Sequence, residues 1–132
     1  MAVKPIPDGY HSVTPYLLVQ TPEKLIDFLK ASFGAEEMMR MPGPDGTGVS
    51  HAEVRIGDSV VMMGKPTDGS IMPAAIYLYV ADADAAYQRA LKAGGESTEE
   101  PNDTFYGDRR AGVKDPCGNL WWIATHIKDF EG

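Results

Sequence analysis

Apolar and polar residues follow the same order in the two halves of the chain. Residues 16–19 (YLLV) and 77–80 (YLYV) are typical of short strands, and each is followed by a segment whose apolar residues recur every three or four positions. These helical segments end near Gly34 and Gly95, since glycine accepts the left-handed conformation at a helix C-terminus. The strands and the glycines both lie 61 positions apart, so the pattern predicts an internal repeat.

The two predicted helices begin at residues that suit a helix N-terminus. Thr21 is predicted to be the N-cap, Pro22 takes the first helical position, and Glu23 places a carboxylate in the first turn, where it complements the helix dipole. Asp82 or Asp84 caps the second helix. The predicted buried stripes consist of Leu25, Phe28, Leu29 and Ser32 in the first helix and of Ala86, Tyr87, Ala90 and Leu91 in the second.

A hairpin of two strands is predicted after each helix. Residues 50–56 alternate strictly, Gly57-Asp58 forms a two-residue turn, and residues 59–63 return along the sheet. Residues 112–123 form the matching hairpin around a turn that contains proline and glycine. We therefore expect an α+β fold, one domain over residues 1–132. Its predicted modules span about residues 10–64 and 74–127, joined by a linker at 65–73.

The alternation also separates the two faces of the predicted sheets. Ala52, Val54 and Ile56 form the set that should pack on a helix. His51, Glu53 and Arg55 then share the opposite face, and the two-residue turn brings Met62 opposite Glu53. By the same parity, the opposite, concave face includes Thr14, Tyr16, Leu18, Ala75, Tyr77, Tyr79 and Trp122, while Trp121 points to the core. This surface predicts a small-molecule pocket, with a dimer interface or a second core as the alternative.

Composition narrows the possible partners. The chain has 132 residues, of which 43% are hydrophobic, and a formal net charge of −7, which disfavours nucleic acid and anionic membrane surfaces. No apolar run approaches the length of a membrane span, and no export signal is visible at the N-terminus. The single cysteine, Cys117, agrees with a reducing compartment, so we expect a cytoplasmic protein.

Several short segments, in order along nearly the whole chain, resemble one superfamily. They are residues 14–17 (TPYL), 33–36 (FGAE), 51–53 (HAE), 56–59 (IGDS), 105–109 (FYGDR), 115–119 (DPCGN) and 123–126 (IATH). The chain is similar here to the PhnB-like branch of the vicinal oxygen chelate superfamily, which includes glyoxalases, bleomycin resistance proteins and dioxygenases. The resemblance implies two βαβββ modules that form an open barrel-like cleft, usually in a homodimer. Open sheet edges favour a homodimer independently.

The resemblance also implies where a metal would bind in metal-dependent relatives. Their four ligand positions fall at Thr14, near Met62, at Ala75 and at Trp122. None of these is an ordinary ligand of a divalent ion, and a shift of one residue along each strand supplies none either. We therefore expect no metal and no cofactor.

The remaining candidates for chemistry are a few charged and polar side chains. His51 and Glu53 lie two residues apart on a strand, about 7 Å at Cα, so they form either a general base or a self-satisfied polar pair. Strand counting that sets Trp122 opposite Ala111 turns Arg109 toward the cleft, where it would hold an anionic group. Alternatively, Arg109 forms a salt bridge with Asp108 or Glu53 and holds no ligand. His11 and His126 are expected at the surface or a dimer edge.

Two functions are compatible with these residues. The first is a metal-independent protein that binds a small planar organic molecule on the ligand-binding candidates Thr14, Tyr16, Arg55, Met62, Tyr77, Tyr79, Arg109 and Trp122. The second is a lyase, isomerase or dioxygenase-like enzyme that uses His51 and Glu53, with or without a divalent metal. The empty ligand positions favour the first.

Overall fold

The computed structural model describes residues 3–129, which form two four-stranded sheets and two helices. The first module consists of β1 (Tyr16–Leu18), α1 (Pro22–Phe33), β2 (Glu36–Pro42), β3 (Val49–Ile56) and β4 (Ser59–Gly64). The second consists of β5 (Ala75–Tyr79), α2 (Ala83–Lys92), β6 (Glu96–Asp103), β7 (Asp108–Lys114) and β8 (Leu120–His126). The strand orders are β1-β4-β3-β2 and β5-β8-β7-β6. The predicted α+β repeat of two βαβββ units is confirmed.

Both helices begin and end close to the predicted residues. Pro22 starts α1, and Gly34 ends it in the left-handed conformation with φ of 67°. Thr21 occupies the N-cap position as predicted, but its side chain makes no capping hydrogen bond. Asp82 caps α2 and accepts a hydrogen bond of 3.1 Å from the backbone N–H of Ala85. Neither helix within residues 3–129 has the length and apolar character that crossing a bilayer requires.

The first hairpin has the predicted register. Ile56 pairs with Ser59 across the Gly57-Asp58 turn, and Glu53 lies opposite Met62. Ala52 and Val54 are fully buried against α1, whereas His51 and Arg55 are only partly covered. The two faces of this strand therefore differ as its alternation predicts.

The second hairpin is displaced by one residue from the predicted register. Trp122 lies opposite Gly112, not opposite Ala111. Residues 115–119 form the connection, closed by a hydrogen bond of 2.8 Å from Asp115 N–H to the Asn119 carbonyl. This connection is one residue longer than the predicted register allows, so every residue of β7 is moved by one position relative to β8. Arg110 therefore shares the face of Trp122, and Arg109 shares the face of Thr125.

One core joins the helix-facing sides of both sheets. Phe33 of α1 packs on Trp121 of β8 with ring centroids 5.4 Å apart. Arg89 of α2 donates a hydrogen bond of 3.1 Å to the Ser32 carbonyl in α1. The two sheets are not closed into a barrel, so each keeps an uncovered face on the side opposite to its helix.

Candidate functional site

The predicted site residues divide between these two uncovered faces. The first face belongs to sheet β1-β4-β3-β2 and carries Tyr16, Met39, Met41, His51, Glu53, Arg55 and Met62. The second face belongs to sheet β5-β8-β7-β6 and carries Tyr77, Tyr79, Asp108, Arg110, Trp122 and His126. Large side chains remain accessible on both: Tyr16 is 50% exposed and Tyr79 is 59% exposed.

Glu53 is the polar centre of the first face. The residue is 9% exposed, and its carboxylate accepts hydrogen bonds from the Tyr10 hydroxyl and, at 3.1 Å, from Nε2 of His51. Burial opposes ionisation of this carboxyl group, but the hydrogen bonds from Tyr10 and His51 outweigh it and hold its pKa below the ordinary value. The same bond to Glu53 raises the pKa of Tyr10. Glu53 is thus an ionised acceptor with two fixed donors.

The imidazole of His51 is held on both sides. The Tyr16 hydroxyl lies 3.4 Å from Nδ1 of His51, and the two rings are 5.6 Å apart at their centroids. With Nε2–H donated to Glu53, Nδ1 is the acceptor for Tyr16. The orientation of the imidazole beside a carboxylate suits a general base, and it equally suits a purely structural polar pair.

Methionine side chains surround this polar centre. Met39 lies opposite Glu53 on one side and Met62 on the other, and Met41 lies opposite His51. Thioether side chains are flexible and polarisable, so they adapt to flat or irregular ligands. Met39 and Met41 were not predicted from the sequence, because β2 contains bulges and has no clean alternation. Tyr10 was not predicted either, because it precedes β1 and reaches Glu53 only through the tertiary fold.

Asp108 is the polar centre of the second face. Only 1% exposed, it accepts hydrogen bonds from Tyr77 at 2.7 Å, Tyr79 at 2.8 Å and Nδ1 of His126 at 2.9 Å. Burial works against its ionisation, but these three donors together lower the pKa of Asp108. The pKa of Tyr77 is raised by burial and by its hydrogen bonds to Tyr106 and Asp108. From the sequence, Asp108 was predicted only as an alternative partner of Arg109.

His126 lies at the edge of the second face. Its Nε2 is 2.9 Å from Asp129, so acidic groups contact both ring nitrogens. The hydrogen bond to Asp108 and then that to Asp129 raise the pKa of His126. The prediction of a surface histidine agrees with its side-chain exposure of 45%, but its bond to Asp108 ties it to the site.

The predicted orientation of Arg109 is wrong. Its guanidinium forms two hydrogen bonds of 3.0 Å with Asp84 of α2 and one of 3.3 Å with Asp103, on the helix side of the sheet. Neither Asp108 nor Glu53 is its partner in these ion pairs. The shifted register places Arg110 on the second face instead.

Arg110, and not Arg109 as predicted, places a positive charge on the second face. It binds Glu99 through Nε at 2.7 Å and Nη2 at 2.9 Å, and Nη1 donates to the Tyr106 hydroxyl at 2.8 Å. Its Cζ lies 5.9 Å from the ring centroid of Trp122, within the range of a cation–π interaction. The second face therefore combines aromatic surface with a fixed guanidinium.

Thr14 lies just before β1, and its hydroxyl donates to the His11 carbonyl at 3.3 Å. It is only partly buried and stays a ligand-binding prediction.

The donor chemistry does not fit the metal sites of metal-dependent relatives. The four positions that the resemblance implies for metal ligands hold a hydroxyl, a thioether, a methyl and an indole group, at Thr14, Met62, Ala75 and Trp122. Within residues 3–129, His, Cys, Asp and Glu side chains do not gather in threes around a point where an ion could bind.

A separate cavity of about 570 Å³ lies beside the β2–β3 loop of the first module. It is lined by the start of α1, the β2–β3 loop and the segment after β4, including Glu23, Asp45 and Lys65. None of the predicted site residues lines it, because their side chains project from the faces of the sheets.

Comparisons with known proteins agree with this architecture. Residues 9–123 match the family profile described as Glyoxalase/Bleomycin resistance protein/Dioxygenase superfamily. The uncharacterized protein Rv0887c of Mycobacterium tuberculosis is 36% identical over 130 residues, which cover 89% of this chain and 76% of that protein. The structure of TioX from Micromonospora sp. ML1 superposes with a TM-score of 0.76 at 23% identity, covering 89% of this chain and 99% of TioX.

A second structural relative has a named binding role. TnmS3, an antibiotic binding protein from Streptomyces sp. CB03234, has a TM-score of 0.70 at 22% identity, covering 96% of this chain and 98% of TnmS3. At this identity the likeness concerns the fold. The profile match and the mycobacterial relative together establish that the chain belongs to the Glyoxalase/Bleomycin resistance protein/Dioxygenase superfamily.

Proposed function

We propose that this protein binds a small planar organic molecule on its uncovered faces and needs no divalent metal to do so. The observation that carries the proposal is the exposure of aromatic and methionine side chains around polar centres whose own hydrogen bonds are already made. Tyr16, Met41 and Tyr79 present apolar surface, while Glu53 and Asp108 are held by fixed donors. Such surfaces favour a flat molecule that stacks on rings and accepts or donates few hydrogen bonds.

We further propose that a second copy of the chain completes the pocket. Small-molecule pockets typically enclose most of their ligand, whereas each uncovered face supplies only one wall. In the proposed homodimer the first face of one chain lies opposite the second face of its partner. The ligand would then lie between methionines on one side and the Tyr77, Tyr79 and Trp122 rings on the other.

Relatives and sequence motifs support finer parts of the proposal. TnmS3 is described as an antibiotic binding protein, and we transfer small-molecule binding to this chain as a hypothesis. The PhnB-like motifs remain our basis for placing the chain in that branch of the superfamily. We also propose that modules 10–64 and 74–127, with linker 65–73, act as one domain in the cytoplasm, where Cys117 stays reduced.

A second candidate function is an enzyme that uses His51 and Glu53. The 3.1 Å contact between Nε2 of His51 and Glu53 supports it, because an oriented imidazole next to a carboxylate is a typical general base. The reaction would belong to the lyase, isomerase or dioxygenase-like classes of the superfamily. The methionines around this pair favour binding over catalysis as the first proposal.

A thermal-shift screen with a panel of flat polycyclic aromatic compounds tests the binding proposal. A compound that binds the native state raises the unfolding temperature by mass action. Arg110→Gln and Arg109→Gln form a matched pair of variants. For compounds that carry a carboxylate or phenolate, Arg110→Gln should weaken binding, whereas Arg109→Gln should retain it. If no compound in the panel shifts the transition, or if the Arg109 variant is the one that loses binding, the proposal is wrong.

A further inference from the structure

The second face contains an aspartate–histidine pair that ligand stacking alone does not explain. Asp108 is almost fully buried and binds Nδ1 of His126 at 2.9 Å. Because Nδ1–H is committed to Asp108, Nε2 is the nitrogen that can release and take back a proton once a ligand displaces the Asp129 carboxylate from it. A buried carboxylate that orients a partly exposed histidine in this way is the arrangement that activates histidine bases in enzymes.

The tyrosines of the cluster hold the carboxylate and leave proton transfer to the imidazole. Tyr77 and Tyr79 donate their hydroxyl protons to Asp108, and these bonds help to raise the pKa of both tyrosines. The Tyr77 hydroxyl also lies 3.1 Å from that of Tyr106, which accepts a hydrogen bond from Arg110. The lowered pKa of Asp108 and the raised pKa values of Tyr77 and Tyr79 move these three groups away from neutral pH. His126 is the member of the cluster whose ordinary pKa, about 6.5, is nearest to pH 7.

The position of His126 suits a ligand that lies on the tyrosine rings. Tyr79 pairs with Ala124, and His126 follows two residues later on the same face, at about 7 Å along the strand. The rings of Tyr77 and Tyr79 are 5.4 Å apart at their centroids and tilted by 59° to each other, so a ligand can stack on one ring and contact the edge of the other. Nε2 of His126 contacts Asp129, whose side chain is 94% exposed. A ligand can replace so exposed a carboxylate without opening the core.

We propose that His126 is an acid–base residue, positioned by Asp108, that shifts a proton within a molecule bound against Tyr77 and Tyr79. This inference rests on the proposed ligand binding and adds a reaction to it. Nε2 accepts a proton from a carbon or hydroxyl acid of the ligand, and the imidazolium is stabilised by Asp108. The same proton then returns to another atom of the ligand, so the product is a tautomer and no oxidant, reductant or metal takes part.

The test uses 5-nitrobenzisoxazole, a flat compound whose ring opens when a base removes its C3 proton as the N–O bond breaks. The product is a coloured cyanonitrophenolate, and no co-reactant is needed. We expect the full-length protein to accelerate this reaction with a rate that rises with pH through the raised pKa of His126. His126→Gln should lower the rate by about 100-fold, within the usual contribution of a general base. Asp108→Asn should lower the rate and move its pH profile to lower pH.

His11→Gln is the matched control, because it removes an exposed histidine whose Nε2 lies 3.1 Å from the Asp58 carbonyl, outside both faces, and should leave the rate within about twofold. A second measurement does not depend on the probe. Nitrogen NMR of His126 should reveal the Nδ1–H tautomer and a pKa above the ordinary value, which falls in Asp108→Asn. The proposal is overturned if His126 is the Nε2–H tautomer, if its pKa does not respond to Asp108→Asn, or if His126→Gln keeps the wild-type rate.

The binding proposal is judged separately. Calorimetry of 5-nitrobenzisoxazole with wild-type protein distinguishes the two ideas. Binding without acceleration contradicts the acid–base role and leaves ligand binding intact. If the compound neither binds nor reacts and His126 is the Nε2–H tautomer, both the acid–base role and ligand binding at the second face are contradicted.

Discussion

The guanidinium of Arg110 lies over the indole ring of Trp122, with Cζ 5.9 Å from the ring centroid. Glu99 and Tyr106 hold Arg110 in this position through three hydrogen bonds. The positive charge of Arg110 thus lies directly against the aromatic surface on which a planar ligand would stack. A ligand that reaches Trp122 must either meet the guanidinium with an anionic group or replace the cation–π contact.

Trp122 should report ligand binding by fluorescence. Trp122→Phe keeps an aromatic ring on the second face, so the free energy of unfolding should change little. The ligand-dependent change in tryptophan fluorescence should be largely lost, and binding should weaken because the smaller ring offers less stacking surface. Titration of a compound that scored in the thermal-shift screen provides the measurement. An unchanged fluorescence response in the variant would place the ligand away from this ring.

Trp121 should instead be essential for stability. It is fully buried, packs on Phe33, and its Nε1–H donates to Asp115 at 2.8 Å. Trp121→Ala should cost about 3–5 kcal/mol in the free energy of unfolding, as large cavities in a packed core do. Urea denaturation measures the difference, with Trp122→Phe as the control from the same strand. A loss below about 1 kcal/mol would contradict the assignment of Trp121 to the packed core.

The purified protein should contain no stoichiometric divalent metal. The resemblance to metal-dependent relatives implies ligand positions at Thr14, near Met62, at Ala75 and at Trp122, and none of these residues is an ordinary donor for a divalent ion. Elemental analysis after purification without added metal gives the answer. About one zinc, nickel or iron per chain would contradict this expectation, and His51 with Glu53 would become the first candidates for its ligands.

The protein should be a homodimer in solution. Each chain leaves two sheet faces uncovered, and exposed aromatic and methionine side chains are stabilised when a partner covers them. Light scattering at micromolar concentration should give about twice the chain mass of 14.3 kDa. A monomer mass under these conditions would remove the second wall from the proposed pocket.

His126 should make stability depend on pH in a defined direction. The hydrogen bonds to Asp108 and Asp129 raise the pKa of this histidine in the folded state above that of the unfolded chain. Its contribution is then fully present below the unfolded pKa of about 6.5 and is lost as pH rises through the folded pKa. The stability difference between wild type and His126→Gln should therefore be larger near pH 6 than near pH 9. Urea denaturation at both pH values tests this, and a constant difference would mean that the histidine does not titrate as expected.

Local pattern was sufficient to predict the repeat and the faces of individual strands. The 61-residue spacing, the turn at Gly57-Asp58 and the strict alternation of β3 place His51 and Glu53 together on the face away from α1. The same alternation places Trp121 in the core and Trp122 on the other side. These features follow from backbone geometry within a few residues, because side chains alternate in a strand and helices end at glycine.

Only the tertiary structure determined how distant segments meet. The register of β7 against β8 depends on the hydrogen bonds that close residues 115–119, and a shift of one residue exchanged the roles of Arg109 and Arg110. Tyr10 reaches Glu53 across 43 positions of sequence, and Tyr77 reaches Asp108 across 31. Local periodicity contains no information on such contacts, because they arise when packing of one core brings separate strands and segments side by side.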